Sequence, residues 1–350
     1  MTLNAHIPDW PVSGLEEVSS CPFCASEHRL LLHEDLVDQM FDAPGRWSMM
    51  QCQGCGIAYL DPRPTSKTIH IAYRNYYTHE EEASGIQVHG PMWIRKLKEK
   101  ALRAFYRSRF SQQKWQLSDL LAILVWLKPS FARTLEGEMR NLPKLYGEKR
   151  LLDVGCGSGK FMALAREHGW HCVGTEMDPV SIARARANGF EVHAGSVESL
   201  ADTSQQFDVI TLSHVIEHVH DPLSTLTAAR KLLSEGGYLW IETPNVAATG
   251  HRLNGRVWLG LHPPFHLVIF SHIALKALLS KAGMHNIKLA PWRPTIVPFA
   301  QLAQILCPDS LTSFQPRHFG FFYEFLGLLD HSKREFVTLT ATRNDAERES

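Results

Sequence analysis

The sequence predicts an α/β protein built on a doubly wound, mostly parallel sheet, and three observations predict it. From residue 150 onward, short apolar runs alternate with segments of helical periodicity. Three glycines, Gly155, Gly157 and Gly159, stand where the first of those runs gives way to the first helical segment. Hydrophobic residues make up 44% of the chain and charged residues 21%, a globular balance that excludes wholesale disorder, collagen and coiled-coil arrays. At 350 residues the chain has room for two domains, or for one large domain with attachments.

The strands are expected at 151–154, 172–175, 191–193, 208–212 and 238–241, with helices between them at 160–168, 179–187 and 222–233. Gly236 and Gly237 are expected to end the last of these helices. Strands alternating with helices of this length form right-handed crossovers, and hence a parallel sheet covered on both faces. A helix at 271–282, stopped by Gly283, and a strand at 336–340 complete the domain, which is placed at 149–345. An insertion at about 291–330 is rich in aromatics, among them Phe314, Phe319 and Phe325. Ahead of the domain, 81–148 reads as a helical connector. Trp93, Ile94, Leu97, Ala101 and Phe105 recur at helical spacing between Pro91 and Lys114, and a second helix covers 118–127 and stops at Pro129.

Residues 1–80 are rich in turns and suit a small, loop-built module. Four of the seven cysteines lie there in two C-x-x-C pairs, Cys21 with Cys24 and Cys52 with Cys55. Without an export signal, such pairs point to metal ligation, and four thiolates suit a closed tetrahedral Zn²⁺ site of structural type. A module with little core would draw much of its folding free energy from the metal, on the order of 10 kcal/mol.

The glycine cluster carries the most information. A phosphate-binding loop needs G-x-x-x-x-G-K-[ST], but Val154 occupies its first glycine position and Phe161 follows Lys160. The dinucleotide fingerprint needs a third glycine where Lys160 stands. What remains is G-x-G-x-G with Asp153 before it. The second strand ends in Gly174, Thr175 and Glu176, where a carboxylate can accept hydrogen bonds from ribose hydroxyls. After the third strand come Gly195, Ser196, Val197 and Glu198; after the fourth, Ser213, His214, Glu217 and His218; the fifth runs to Thr243, Pro244 and Asn245.

In this order the segments resemble the motifs of class I S-adenosylmethionine-dependent methyltransferases, whose fold is a Rossmann-like, seven-stranded, mostly parallel sheet. The resemblance implies S-adenosylmethionine contacts at Asp153, Gly155, Cys156, Gly157, Gly159, Glu176, Met177, Ser196, Val197 and Ser213. Glu176 would hold the ribose, and Met177 and the turn at Ser196 and Val197 the adenine. With the N-terminal zinc-ribbon-like module, the chain resembles bacterial enzymes that methylate sugars and other small metabolites. O-methylation of a sugar or glycan precursor is the leading expectation. A quinone or secondary-metabolite acceptor and an RNA substrate are the alternatives.

A hydroxyl acceptor calls for a general base, and two clusters offer one. The first is His214, Glu217 and His218, whose side chains would share one face if the segment were helical. It is related to the E-x-x-E-H arrangement of ubiquinone-biosynthesis O-methyltransferases, which is credited with a divalent metal. The second lies after the fifth strand, where His266 is the candidate base and His262 a supporting residue.

Thirty-six basic residues balance 36 acidic ones, so net charge does not favour nucleic acid as a partner. The basic stretch at 91–114 suits a phosphate-bearing acceptor or a peripheral membrane contact. The longest apolar run, 120–127, is too short to span a bilayer. A soluble, cytoplasmic protein is expected.

Overall fold

The structure is a computed structural model, and it describes residues 9–75, 92–111, 116–144, 147, 149–294 and 327–344. Most of the aromatic insertion, with Phe314, Phe319 and Phe325, lies outside the described residues, as do Cys307, Pro91 and Lys114.

The N-terminal part pairs β1 (Leu15–Glu16) with β5 (Arg63–Pro64), and stacks β2 (Arg29–Leu36), β3 (Trp47–Cys52) and β4 (Ala58–Leu60) into a second, antiparallel sheet. The connector is α1 (Met92–Phe110), a 3₁₀ turn at Leu117–Ala122, α2 (Ile123–Trp126) and α3 (Pro129–Glu138). Pro129 therefore does not close the helical region, as expected above, but opens a further helix. Its missing N–H and fixed φ cost nothing at the first helical position.

The large sheet holds β6 (Lys149–Val154), β7 (Trp170–Glu176), β8 (Glu191–Ala194), β9 (Phe207–Ser213), β10 (Leu233–Pro244), β12 (His285–Leu289) and β13 (Phe336–Thr342). Their order is β12-β13-β10-β9-β6-β7-β8, and β13 runs against both its neighbours. All seven strands of the expected Rossmann-like sheet are present. Four of the helices are α4 (Lys160–Glu167), α5 (Pro179–Ala187), α6 (Pro222–Leu232) and α8 (His272–Lys281), with α7 (Thr249–Asn254) in the loop after β10. Side-chain oxygens cap three of them: Asp178 at α5, Asp221 at α6 and Ser271 at α8.

Neighbouring strand residues point to opposite faces, so apolar runs of this kind bury both sides of the sheet. Leu152, Val154, Ile210 and Leu212 face one core with α6 and α8, whereas Leu151, Val209 and Cys172 face another with α1, α3, α4 and α5. The helix before β10 ends at Leu232, not at the glycine pair. Leu233 is already extended and pairs with Phe207, and Gly236, at φ +70°, sits where the register slips before Tyr238 pairs with Val209.

The N-terminal module departs most from expectation. A strand from the distant loop after β10, β11 (Val268–Ile269), pairs with β4, and Leu60 N–H donates to Leu267 O at 3.0 Å. Trp10, Trp47, Met49, Ile57 and Tyr59 belong to the same buried cluster as Phe265, Leu267 and the sheet. The module is thus anchored to the large sheet by a shared core, and does not have the small, separate core that the sequence suggested.

Candidate active site

Strand order reverses between β6 and β9, and in open α/β sheets ligands bind beyond the carboxyl ends of the strands at such a point. The glycine loop follows β6 and the His214 turn follows β9, so the two principal sequence features meet there. Gly155 has φ +68°, and a Cβ on it would stand 2.7 Å from Val215 Cγ2 in the neighbouring turn. Gly157, at φ +52°, has open space where its Cβ would be. Only glycine gives this backbone its left-handed turns and leaves its amides open to a ligand.

Glu176 ties the loop to the end of β7. Its Oε2 accepts from Gly157 N at 2.8 Å, and its Oε1 from Met177 N at 2.7 Å and Asp178 N at 3.0 Å. Three of the carboxylate's roughly four acceptor places are used by backbone donors. A ribose diol held by both oxygens would therefore displace at least one of them. Met177 is 74% exposed beside this carboxylate, where an adenine would cover it. Ser196 is exposed, but Val197 is buried, so a ligand at that turn would meet the Ser196 side chain and the backbone and not the Val197 side chain. Cys156 is likewise buried; its sulfur fills the space above Gly174, and burial pushes its thiol well up, so it packs and does not react. Gly159, at φ +85°, precedes α4, and Ser213 is half-buried at the end of β9.

Beneath the loop lies a residue the sequence did not single out. Arg140, at the end of the connector, donates to Asp153 Oδ1 and, at 2.8 Å, to Thr211 Oγ1. Its guanidinium stacks 3.8 Å from the centre of the Phe161 ring. Asp153 is fully buried, and its Oδ2 has no hydrogen-bond partner. Burial pushes its carboxyl up more than Arg140 and Thr211 lower it. An unsatisfied buried acceptor of this kind at the loop suits a cationic or N–H donor such as the amino group of S-adenosylmethionine.

The two histidine clusters, separate in the sequence, form one. The segment from His214 to His218 is a turn, not the helix that would have aligned its side chains, and His214 itself has φ +54°. His214 Nδ1 lies 3.2 Å from Glu217 Oε1, and its Nε2 lies 3.8 Å from Glu242 Oε1. Burial would lower the His214 pKa, but the two carboxylates raise it overall. Thr243 Oγ1 donates to Glu217 Oε2 at 2.9 Å. Burial of Glu217 is outweighed by His214, and its carboxyl is held at about 2.

His218 Nδ1 is 2.9 Å from Phe265 O, and His266 Nδ1 is 2.8 Å from Gly260 O. A carbonyl only accepts, so both Nδ1 atoms carry the proton and both Nε2 atoms keep a lone pair. Burial lowers both histidines below the usual 6.5, so the rings are neutral at neutral pH. Their centres are 4.8 Å apart, and one ligand atom each from Glu217, His218 and His266 lies within 4.8 Å of the others. His262 stacks on Phe265 and meets His266 edge-on. Two neutral imidazoles and a carboxylate fit a divalent cation. The set differs from the one expected: His266 joins it, and His214 is held between Glu217 and Glu242.

In the N-terminal module all four expected sulfurs converge. Cys21 Sγ is 3.6 Å from Cys55 Sγ, and Cys24 Sγ is 3.4 Å from Cys52 Sγ. Both are far beyond a disulfide of about 2.05 Å. They come close to the roughly 3.8 Å edges of a tetrahedron with Zn–S bonds of about 2.3 Å. Amides of Phe23 and Cys24 point at Cys21 Sγ, and that of Gly54 at Cys52 Sγ, as thiolates require. Elemental analysis of the purified chain should find one zinc, and Cys24→Ser/Cys52→Ser should lose it. Wild-type protein that is folded and zinc-free would contradict the assignment.

Residues 131–289 match the family described as "Methyltransferase domain". The sheet order and the glycine loop, both within these residues or paired with them, agree with a methyltransferase domain. Among curated proteins it is 34% identical over 104 residues to a ubiquinone biosynthesis O-methyltransferase of Aromatoleum aromaticum, covering 28% of this chain and 44% of that one. It is 37% identical over 108 residues to the protein of the same name from Aeromonas salmonicida, covering 29% and 45%. The chain thus spans a little under half the length of these relatives. Among solved structures it is similar to a SAM dependent methyltransferase from Archaeoglobus fulgidus, at 20% identity and a TM-score of 0.43, covering 60% of this chain and 94% of that one.

Proposed function

We propose that the chain transfers the methyl group of S-adenosylmethionine to a hydroxyl of a small molecule, with a phenol of the quinone-precursor type as acceptor. The convergence of His218 and His266, both neutral with Nε2 free to accept, at the turn whose Val215 meets Gly155 carries this reading. The named relatives favour a quinone precursor, and they lend no support to the sugar acceptor expected from the sequence.

The cofactor, when bound, supplies a sulfonium methyl that needs little further activation. The chain's own residues then have three tasks. Glu176 and the backbone around Gly157 hold the nucleoside, and Asp153 Oδ2 receives its amino group. The His214 turn sets the acceptor in line with the methyl group, an alignment that can supply about 7–11 kcal/mol of the barrier. His218 Nε2 takes the hydroxyl proton, because His218 is half-buried whereas His266 is only 6% exposed. His266 and the Glu217 carboxylate hold that ring and offset the charge it gains. A divalent cation on Glu217, His218 and His266 is a second way to lower the pKa of the acceptor hydroxyl at this place. In this scheme Phe41 and Tyr73 of the N-terminal module, which meet Phe265, and Arg140 of the connector, which holds Asp153, border the site.

The test is incubation with methyl-labelled S-adenosylmethionine and, in parallel, a catechol and a sugar nucleotide. Label in the catechol is expected. Label in the sugar nucleotide alone would overturn the acceptor class, and label in neither, despite cofactor binding, would overturn the catalytic reading.

A further inference from the structure

The four converging sulfurs and the paired histidines lie at the two ends of one run of hydrogen bonds. Cys52 ends β3, and the turn from Cys52 to Ile57 closes the hairpin into β4, with Gly56 N donating to Cys52 O and Cys52 N to Ile57 O, both at 3.0 Å. Cys52 and Cys55 therefore sit on the turn that sets the register of β3 against β4, in which Met49 faces Leu60 and Gln51 faces Ala58. The other two sulfurs come from the turn at Cys21–Cys24. The chain just ahead of that turn is tied to the residue that follows β4: Val18 N donates to Asp61 Oδ1 at 2.7 Å, and Arg29 donates to both Val18 O and Asp61 Oδ2. A metal held by all four sulfurs joins two turns, one leading into β4 and the other linked to its far end.

From β4 the contacts pass directly to the site. Tyr59 pairs with Val268 and Ala58 with Ile269, and Leu60 N–H donates to Leu267 O at 3.0 Å. The same segment is bound to the His214 turn, because Leu267 N donates to Glu217 O at 2.8 Å and Val268 N to the same oxygen at 3.3 Å. Residues 267 and 268 are thus held between β4 and the residue that carries the site's carboxylate. The two residues before them complete the link: Phe265 O accepts from His218 Nδ1, and His266 bears the second imidazole. Tyr59, Leu60, Phe265, Leu267 and Val268 are each at most 1% exposed. Close-packed surroundings of this kind transmit a shift and do not absorb it.

We infer, on the role proposed above for these two rings, that metal occupancy of Cys21, Cys24, Cys52 and Cys55 fixes the 265–268 segment and through it aligns His218 and His266 for methyl transfer. The effect is local. Trp10, Trp47 and Ile57 belong to the same buried cluster as Phe265 and Leu267, and that burial attaches the module to the large sheet without help from the sulfurs. The knuckles have less to hold them together, since Cys24 is exposed and Cys55 half-buried. Metal removal therefore loosens the two turns and β4 ahead of the rest of the module. A small loosening is enough, because misplacing a reacting group by about 1 Å can cost about 10²-fold in rate.

Hydrogen exchange of the full chain, read by mass spectrometry, tests the link without any acceptor. In Cys24→Ser/Cys52→Ser, from which the metal is lost, amides of 264–269 should exchange at least tenfold faster than in the parent, while those of 151–154 and 208–212 exchange as before. Affinity for S-adenosylmethionine should stay within twofold of the parent's, and kcat with a catechol should fall at least tenfold. Cys24→His leaves three thiolates and an imidazole as zinc ligands, and should bring back the metal, the slow exchange and the turnover. Parent values for the exchange of 264–269 or for kcat in the zinc-free variant would overturn the inference. So would a zinc-bearing Cys24→His that keeps the fast exchange. Exchange that rises equally across the large sheet would overturn it too, since the metal would then hold the whole fold and not this segment. A parent that methylates no catechol, yet loses slow exchange at 264–269 with its zinc, would overturn the chemistry proposed for the rings and leave the link from metal to segment standing.

Discussion

Arg140→Ala will lower the free energy of unfolding by about 3–5 kcal/mol, the cost of leaving a buried charge without its partner. Asp153 is fully buried, its Oδ1 is bound by Arg140 and Thr211, and its Oδ2 is already unpaired, so the carboxylate has nothing to replace the guanidinium. The loss should be readable in urea, with an unchanged m-value if the native state stays compact. Adding Asp153→Asn should recover a large part of it, because the double variant no longer buries a lone charge. Arg140→Ala with wild-type stability would show that the pair contributes nothing, and the polar floor of the glycine loop would need another explanation.

The second large effect belongs to the histidines. His218→Ala should reduce turnover by about 10²–10⁴-fold, the usual contribution of a general base, with cofactor affinity little changed. His266→Asn, which can keep a donor toward Gly260 O, should reduce turnover less and leave the fold intact. Burial places the His218 pKa below 6.5, so the acid limb of the rate profile should lie below that value and the rate should be flat above it. A rate still rising well above pH 6.5, or wild-type turnover in His218→Ala, would remove this ring as the base. Glu217 adds a pH effect on stability. Its carboxyl is depressed from 4.5 to about 2, so its contribution is complete above 4.5 and disappears as the pH falls toward 2.

The sheet was legible because its strands are buried on both faces and read as apolar runs between turn residues. Leu151 to Val154 and Asp208 to Leu212 needed no partner information to be seen. β12 escaped because His285, Asn286 and Lys288 give it a polar, half-exposed edge character. The helix expected at His214 failed for a local reason: the chain leaves β9 through a left-handed residue, which periodicity does not reveal. Arg140 carried no signal at all, as a cation at the end of a connector helix looks like any solvated one. The union of the two histidine clusters was likewise hidden, because it depends on the loop after β10 folding back so that Leu267 N–H donates to Glu217 O and Phe265 O meets His218, contacts that periodicity does not reveal. Residue types marked the chemistry, and topology decided which of them meet.

The measurement that bears most directly on the whole account is calorimetric titration of S-adenosylmethionine into the wild-type chain and into Glu176→Ala. Saturable binding at one site per chain is expected in the wild type, weakened by one to two orders of magnitude in Glu176→Ala, in line with about 1.5–3 kcal/mol for hydrogen bonds to a charged group. A wild-type chain that takes up no S-adenosylmethionine, or a Glu176→Ala variant that binds it as tightly, would contradict the assignment of the crevice beyond β6 and β7.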